Sequence, residues 1–247
     1  MSSSSSSTSS TVEPLYVLYG SQMGNSEQAA QDFCSKVSQK FTPDFFQSQG
    51  LPIVTVKPTC LQLDDFLEVK HAAFTKCVVI FVSSYGVGQA PLGAYRFREV
   101  CDALSEAKDS TILQGLRYAI CGLGDSSYST FMRNPTAIDA GLTAAGAQRI
   151  GTMARADANA LGDESQDKTI ARWMEDIWVP LAKAIAAQDH VDTKAMQTKT
   201  IPILMKLDPD YVPPKDKSKG TEIPSAFLGV AALSLLGVAI AVAVTYM

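Results

Sequence analysis

The side chains best suited to binding chemistry begin with a run of small and polar residues after the first strand-like segment. The run reads Gly20, Ser21, Gln22, Met23, Gly24, Asn25, Ser26, Glu27. A small-residue turn that opens a helix presents backbone N–H groups and hydroxyls at the positive end of the helix dipole, which suits a phosphate monoester. The run matches neither GxxxxGKS nor GxGxxG, so it does not indicate a nucleoside triphosphate or a dinucleotide. A plain strand-to-helix connection with a Ser or Asn cap is the equal alternative.

Two further loops carry aromatic rings, glycines and hydroxyls. The loop after the third strand-like run reads Ser83, Ser84, Tyr85, Gly86, Val87, Gly88, Gln89, Ala90, Pro91. The loop after the fourth reads Gly122, Leu123, Gly124, Asp125, Ser126, Ser127, Tyr128, Ser129, Thr130, Phe131. Parallel strands present their ligands at the carboxyl edge of the sheet, so the three loops are expected to converge there. Each tyrosine alone is consistent with ordinary loop packing, but the three loops together predict a pocket for a flat heterocycle with one phosphate.

The elements that would position these loops follow from alternating patterns between residues 15 and 187. Short β-branched or aromatic runs alternate with stretches of helical period, which is typical of βα units around a parallel sheet. The predicted strands are 15–19, 53–56, 77–82, 118–121 and 149–153. The predicted helices are 27–40, 95–104, 136–145 and 165–187. This pattern predicts an α/β fold, a three-layer sandwich with a five-stranded parallel sheet.

The ends of the chain differ from this middle part. Residues 1–13 form a polar, Ser-rich tail that is expected to be disordered, and the folded domain is predicted for 14–190. A proline- and lysine-bearing linker is predicted for 191–222. Residues 223–247 carry no charged side chain, and the run is long enough to cross a hydrocarbon core of about 30 Å as a helix. We expect a C-terminal transmembrane helix here, with a buried core helix as the alternative.

Charge around the apolar run bears on topology and location. Lys215, Lys217 and Lys219 precede it, which favours an N-terminal domain in the cytosol. The absence of basic residues after it favours the endoplasmic reticulum over the mitochondrial outer membrane. These features predict a single-pass membrane protein.

Composition excludes some classes of function. The net charge is −4, and no Lys/Arg stripe with interleaved aromatics is present, so nucleic acid is not an expected partner. The five cysteines are Cys34, Cys60, Cys77, Cys101, Cys121. Their odd number and the lack of a CxxC pair predict reduced, mostly buried thiols rather than a disulfide or metal site.

The three loops, in this order, resemble those of the FMN-binding flavodoxin-like domain of the diflavin reductases. That group contains microsomal cytochrome reductase, sulfite reductase flavoprotein and nitric oxide synthase, and the resemblance covers about residues 15–187. It implies a flavodoxin-like fold with FMN as cofactor. The residues that would hold the phosphate are Ser21, Gln22, Met23, Gly24, Asn25, Ser26.

The resemblance also implies roles around the isoalloxazine ring. Tyr85 and Tyr128 would sandwich the ring, and Gly86 matches a glycine whose peptide can turn toward the reduced flavin. Asp157 matches an acidic residue near the flavin edge. The pocket would be completed by Ser83, Ser84, Leu123, Gly124, Asp125, Ser126, Ser127, Ser129, Thr130, Phe131, Met132.

Several positions depart from the family pattern. Met23 and Asn25 stand where the family usually has threonines, and Val87 and Gln89 replace acidic residues. Residues 154–156, Ala-Arg-Ala, replace a glycine-rich stretch. The lost acids change the surface on which partners dock.

The resemblance implies an electron carrier of oxidoreductase type without its own FAD and NADPH modules. An external flavin reductase or a ferredoxin-type donor would supply electrons. The acceptor would be membrane-associated, such as a haem protein or a desaturase. One alternative is an interaction protein of the same fold without cofactor, which Met23, Val87 and Gln89 favour. The other is an FMN-dependent NAD(P)H quinone reductase, which two stacking tyrosines disfavour.

Overall fold

The computed structural model describes residues 11–67 and 75–212. Its strands are β1 (Thr11–Gly20), β2 (Val54–Gln62), β3 (Cys77–Ser83), β4 (Arg117–Gly124), β5 (Gln148–Arg149) and β6 (Ala154–Asp157). They form one parallel sheet in the order β2-β1-β3-β4-β5, and β6 also pairs with β4. The predicted α/β fold with a parallel sheet is confirmed.

Helices cover both faces of the sheet. They are α1 (Asn25–Lys40), α2 (Pro43–Ser48), α3 (Leu63–Phe66), α4 (Tyr95–Ala107), α5 (Arg133–Ala144), α6 (Gln166–Ala186) and α7 (Thr193–Leu207), with a short 3-10 turn at Gly162–Glu164. Residues of α1 and α6 pack on one face in a single apolar cluster. Residues of α3, α4, α5 and α7 pack on the other.

The central strand β3 shows why three layers form. Val79 and Phe81 belong to the cluster under α1 and α6, whereas Val78, Ile80 and Val82 belong to the opposite cluster. A strand that is apolar on both faces can be buried only if helices cover both sides of the sheet.

The strands extend beyond the predicted bounds at one edge of the sheet. The prediction ended the second strand at residue 56, but β2 continues through Pro58 to Gln62. β2 is an edge strand, where a proline removes no ladder hydrogen bond that a neighbour requires. Thr11 to Glu13 of the predicted tail belong to β1, where they pair with β2. The boundary at residue 14 was therefore wrong.

The opposite edge is interrupted, so the five predicted strands become six. β5 pairs with the start of β4, and β6 pairs with its end. The predicted strand 149–153 breaks at Gly151, whose φ of +66° lies in the left-handed region. The break changes the course of the chain just before Asp157.

Helix α7 occupies a segment that was predicted as linker. Met196, Thr200 and Leu204 recur every four residues and are buried against the cluster that contains α4. The prediction was wrong because Pro202 and the polar residues between these positions suggested a spacer. The buried face of the helix outweighs the lost hydrogen bond of one proline.

The predicted transmembrane helix, 223–247, lies outside the described residues, as do residues 1–10. Within 11–67 and 75–212, none of the helices has the length and apolarity that crossing a bilayer requires. The same ranges contain no cluster of residues suited to hold a metal ion.

Candidate cofactor site

The loop between β1 and α1 is closed by its own serine. Gly24 has a φ of +92°, a conformation that a side chain would strain. Its N–H donates a hydrogen bond to Ser21 Oγ at 3.0 Å. The N–H of Ser21 donates to the carbonyl oxygen of Leu92 at 3.2 Å, which fixes the loop to the segment before α4.

The first turn of α1 offers backbone donors that no acceptor among the described residues uses. The N–H of Gln28 bonds to Gly24 O at 2.9 Å, so helix geometry leaves the amides of Asn25, Ser26 and Glu27 without an intrahelical acceptor. Ser26 is fully buried, and within the described part of the chain its Oγ has no hydrogen-bond partner. A buried, unpaired hydroxyl is costly, so this turn is suited to receive a polar ligand group.

The departure at Met23 does not block the turn. The Met23 side chain is 84% exposed and borders the cavity without filling it. Asn25 directs Nδ2 to Gln166 Oε1 at 3.1 Å. The space that a phosphate needs therefore remains open.

The second loop is a tight turn between Tyr85 and Gln89. The N–H of Gln89 donates to Tyr85 O at 2.8 Å, and the N–H of Tyr85 donates to Gln89 O at 3.1 Å. Gly86 and Gly88 have φ values of +52° and +87°, which the turn requires. Thr130 Oγ1 donates to Gly86 O at 3.1 Å, so the third loop holds the peptide of the second.

The third loop is braced from behind by Asp157. Its carboxylate accepts hydrogen bonds from the N–H groups of Ser126 and Asn159, both at 2.9 Å. Burial opposes ionisation of this carboxyl, but the hydrogen bonds from Ser126 and Asn159 outweigh it and lower the pKa of Asp157. Asp157 thus shapes the loop and does not line the cavity.

Two amides that the sequence did not reveal tie the loops together. Gln166, at the start of α6, donates to Gly124 O at 3.3 Å and accepts from Asn25. Asn134, buried at the start of α5, donates to Ser83 O at 2.8 Å. Neither belongs to a glycine or aromatic pattern, so only their positions in space mark them.

The three loops converge on one cavity of about 370 Å³ at the carboxyl edge of β1, β3 and β4. Among the described residues its lining is Ser21, Gln22, Met23, Asn25, Ser26, Ser83, Ser84, Tyr85, Gly86, Leu123, Gly124, Asp125, Tyr128, Thr130, Phe131, Ala158, Gln166. Predicted site residues outside this lining are Gly24, Ser126, Ser127, Ser129, Met132, Asp157. The structure therefore brings together most of the predicted site, and it adds Ala158 and Gln166.

The residues that line the cavity also limit how it can bind a charged ligand. Asp125 is the one charged side chain on the described wall of the cavity, and its Oδ1 accepts the N–H of Ser127 at 2.8 Å. An anionic group would thus be bound by hydroxyls, amides and the helix dipole rather than by a cation. The exposed rings of Tyr85 and Tyr128 offer flat surfaces at the mouth.

A doubly wound parallel sheet, with its cavity where the strand order reverses between β1 and β3, defines a flavodoxin-type domain. Residues 17–173 match the model of the flavodoxin family, so this chain belongs to that family. Members of the family bind FMN.

The curated relatives are longer proteins, and the match covers only a part of each. NADPH–cytochrome P450 reductase of Saccharomyces cerevisiae is 30% identical over 162 residues, covering 65% of this chain and 20% of the relative. Pyruvate dehydrogenase [NADP(+)] of Euglena gracilis is 33% identical over 164 residues, covering 66% of this chain and 8% of the relative. The sulfite reductase [NADPH] flavoprotein alpha-component of Thiocapsa roseopersicina is 31% identical over 139 residues, covering 56% of this chain and 23% of the relative. The chain thus spans less than a third of the length of these relatives.

Among solved structures, a point mutant of flavodoxin from Pseudomonas aeruginosa is 18% identical, with a TM-score of 0.49. The match covers 70% of this chain and 99% of that chain.

Proposed function

We propose that this chain is an FMN-binding electron carrier anchored to a membrane. Electrons would come from an external flavin reductase or a ferredoxin-type donor. They would pass to a membrane-associated acceptor such as a haem protein or a desaturase. The observation that carries the cofactor assignment is the buried Ser26 hydroxyl, which has no partner among the described residues and lines the cavity at the start of α1.

The residues present fit FMN. The amides of the first turn of α1 and the Ser26 hydroxyl would bind the phosphate, because they supply donors without a charged side chain. Tyr85 and Tyr128 would cover the two faces of the isoalloxazine. When bound, FMN supplies reversible electron uptake and release. The three loops would orient the ring, and Thr130 holds the Gly86 carbonyl on the cavity wall through its hydrogen bond.

The membrane part of the proposal is supported by the sequence of the C-terminal run. Residues 223–246 contain no charged side chain and can span a bilayer as one helix. An anchored carrier is confined to the surface on which its acceptor lies, which raises the effective concentration of both. The lysines before the run favour a cytosolic domain, and we propose the endoplasmic reticulum over the mitochondrial outer membrane.

Flavin titration of the full chain tests the cofactor. The chain is purified in detergent, freed of flavin, and titrated separately with FMN and riboflavin while flavin fluorescence is followed. We expect FMN to bind with quenched fluorescence and riboflavin, which lacks the phosphate, to bind more weakly. A colourless protein that takes up neither compound contradicts the proposal and favours the interaction protein without cofactor.

The same preparation distinguishes the quinone reductase. Steady NADPH oxidation with a quinone, and with no reductase added, would favour that alternative. The carrier is expected to show such turnover only after an NADPH-dependent flavin reductase is supplied.

A further inference from the structure

The five cysteines differ in their access to solvent, and all of them are free thiols in the structure. Cys77, Cys101 and Cys121 are buried, and burial raises the pKa of each of these thiols. Cys34 in α1 and Cys60 in β2 are only partly buried. Oxidation of a cysteine requires both access and thiolate character, so these two are the candidates for such chemistry.

The two partly buried thiols lie on facing surfaces of α1 and the sheet. Helix α1 follows β1 and leads to β2, the edge strand next to β1. Cys60 pairs in register with Val17, whose side chain belongs to the apolar cluster that contains α1. Residues paired in this way share one face of a sheet, so Cys60 points toward α1. Cys34 and Cys60 both pack against this same cluster.

A contact near the start of α1 places the two thiols at a similar level along the strands. Glu27 accepts a hydrogen bond from the hydroxyl of Tyr19 at 3.2 Å, and Tyr19 pairs with Gln62 of β2. Because α1 returns the chain toward the amino edge, Cys34 lies seven residues and about 10 Å nearer that edge than Glu27, on the same side of the helix. Cys60 lies two residues and about 7 Å nearer that edge than Gln62, on the same face of the strand.

The contact between the two thiols makes them chemically different. The hydrogen bond between them outweighs burial and lowers the pKa of the Cys34 thiol to about 7. The same hydrogen bond, with burial and the nearby charge of Glu27, raises the pKa of the Cys60 thiol. About half of Cys34 is therefore thiolate near pH 7, where an ordinary thiol with a pKa of about 8.5 is almost fully protonated. Cys60 keeps its proton and can donate it to the Cys34 sulfur.

We propose that Cys34 and Cys60 are a peroxide-sensitive thiol pair that closes reversibly to a disulfide between α1 and β2. Cys34 is the thiol that attacks the oxidant, and Cys60 is the thiol that resolves the product. The bond would join the edge strand to the helix whose first turn lines the cofactor cavity. The inference depends on neither the proposed cofactor nor the proposed anchor.

The reaction balances with one molecule of hydrogen peroxide. The Cys34 thiolate attacks one peroxide oxygen, the O–O bond breaks, and hydroxide leaves, which gives a sulfenic acid on Cys34. The Cys60 sulfur then attacks the Cys34 sulfur, the S–O bond breaks, and the oxygen leaves as water with the Cys60 proton. Two electrons pass from the sulfur atoms to the peroxide. A thiol reductant such as glutathione restores both thiols by exchange.

Peptide mapping of the full chain tests the pair. The chain is purified in detergent, reduced, freed of reductant and exposed briefly to hydrogen peroxide, which catalase then removes. Remaining thiols are blocked with N-ethylmaleimide under denaturing conditions before digestion, so that disulfides cannot exchange. We expect a peptide linked through Cys34 and Cys60 that dithiothreitol separates. The buried Cys77, Cys101 and Cys121 are internal controls and should carry N-ethylmaleimide.

Two variants assign the roles of the two thiols. In Cys60→Ser, the sulfenic acid on Cys34 has no thiol to resolve it, so dimedone should label Cys34. In Cys34→Ser, Cys60 should remain a thiol after the same exposure. Thermal unfolding compares the folding of each variant with that of the unsubstituted chain, whose peptide map does not depend on either substitution.

The inference is overturned if Cys34 and Cys60 both carry N-ethylmaleimide after exposure to peroxide. It is equally overturned if Cys34 is oxidised further without a linked peptide, or if the linked peptide contains another cysteine. A bond between two chains, visible as a dimer on a non-reducing gel, also contradicts it. Dimedone on Cys60 in Cys34→Ser would contradict the assigned roles. Flavin titration reports the cofactor separately, so none of these results bears on it.

Discussion

At the scale of single residues, the site is marked by a buried hydroxyl that has no hydrogen-bond partner among the described residues. Ser26 is one of many hydroxyls in a Ser-rich sequence, and its type alone gives it no special role. Buried in the first turn of α1 without a partner among the described residues, it is a group that a bound ligand would satisfy. Ser26 is therefore a stronger candidate for ligand binding than Ser127 or Ser129, which are exposed to solvent.

Ser26→Ala should have opposite effects on the free and the loaded protein. Removing an unpaired buried hydroxyl should leave the free energy of unfolding of the flavin-free protein unchanged or raised. FMN affinity should fall by about 1.5 to 3 kcal/mol, the value of a hydrogen bond to a charged group. Urea unfolding and FMN titration measure the two quantities. A loss of flavin-free stability with unchanged affinity would assign Ser26 a structural role only.

Tyr128→Ala should weaken FMN binding by about 1 to 3 kcal/mol, the value of an aromatic stacking surface. The ring is exposed at the cavity mouth, so stability should change little. The dissociation constant for FMN measures the effect, and Tyr95→Ala is the control because that ring is exposed but does not line the cavity. Equal affinity of the Tyr128 variant and the parent would count against the assigned pocket.

At the scale of elements, the position of the site depends on contacts between segments far apart in sequence. Gln166 of α6 and Asn134 of α5 hold the loops that follow β1, β3 and β4. Helix α7 packs on α4, and the segment before α4 holds the loop between β1 and α1 through Leu92. The local sequence determines the secondary structure of each segment, but contacts between distant segments determine the shape of the cavity.

Leu204→Ala should destabilise the domain by about 2 to 5 kcal/mol, because it leaves a cavity between α7 and the core. The neighbouring Met205 is 41% exposed on the same helix, so Met205→Ala should change the free energy of unfolding by no more than about 0.5 kcal/mol. Urea denaturation compares the two. Similar small effects would show that α7 is not part of the cooperative fold.

Asp189→Asn should change how stability depends on pH. The hydrogen bond and charge of Arg117 lower the pKa of Asp189 to about 2, from about 3.9 in an unfolded chain. The folded pKa is depressed, so the stabilisation is present above about pH 4 and is lost as pH falls toward 2. Since the carboxylate is 42% exposed, the effect should stay below about 1 kcal/mol. The free energy of unfolding, measured between pH 2 and 6, should fall less at low pH in the variant than in the parent. Identical profiles would show that the Asp189–Arg117 pair does not contribute to stability.

At the scale of the whole molecule, the cofactor domain and the proposed anchor depend on different parts of the chain. The two apolar clusters of the core are built from residues 15–211. The domain therefore has its own core, and the membrane attachment that we propose would use residues outside this core. The proposed membrane-bound carrier would need both parts, but each can be tested without the other.

Deletion of residues 213–247 should release the protein from membranes without unfolding it. The full chain should remain with the membrane pellet after carbonate washing, because an apolar run of this length inserts as a helix. The shortened chain should stay in the supernatant and retain its thermal midpoint and FMN affinity. A full chain that carbonate extracts would contradict the anchor and leave the cofactor assignment intact.

The sequence by itself determined the fold class and the region of the site. Runs such as 77–82, apolar on both faces, require a sheet covered on both sides, and loops rich in Gly, Ser and Tyr after three strands indicate where a phosphate and a flat ring can bind. Both conclusions depend on local pattern, which is present in a single segment.

Only the tertiary structure decided which residues complete the site and where the domain ends. The roles of Gln166 and Asn134, the unpaired state of Ser26 and the folding of α7 each depend on a neighbour distant in sequence. Pro58 suggested the end of a strand, but β2 continues through it because β2 lies at the edge of the sheet. Pro202 suggested a linker, but the buried face of α7 outweighs the hydrogen bond lost at this proline. Burial and pairing are properties of two or more segments together, and no single segment carries that information.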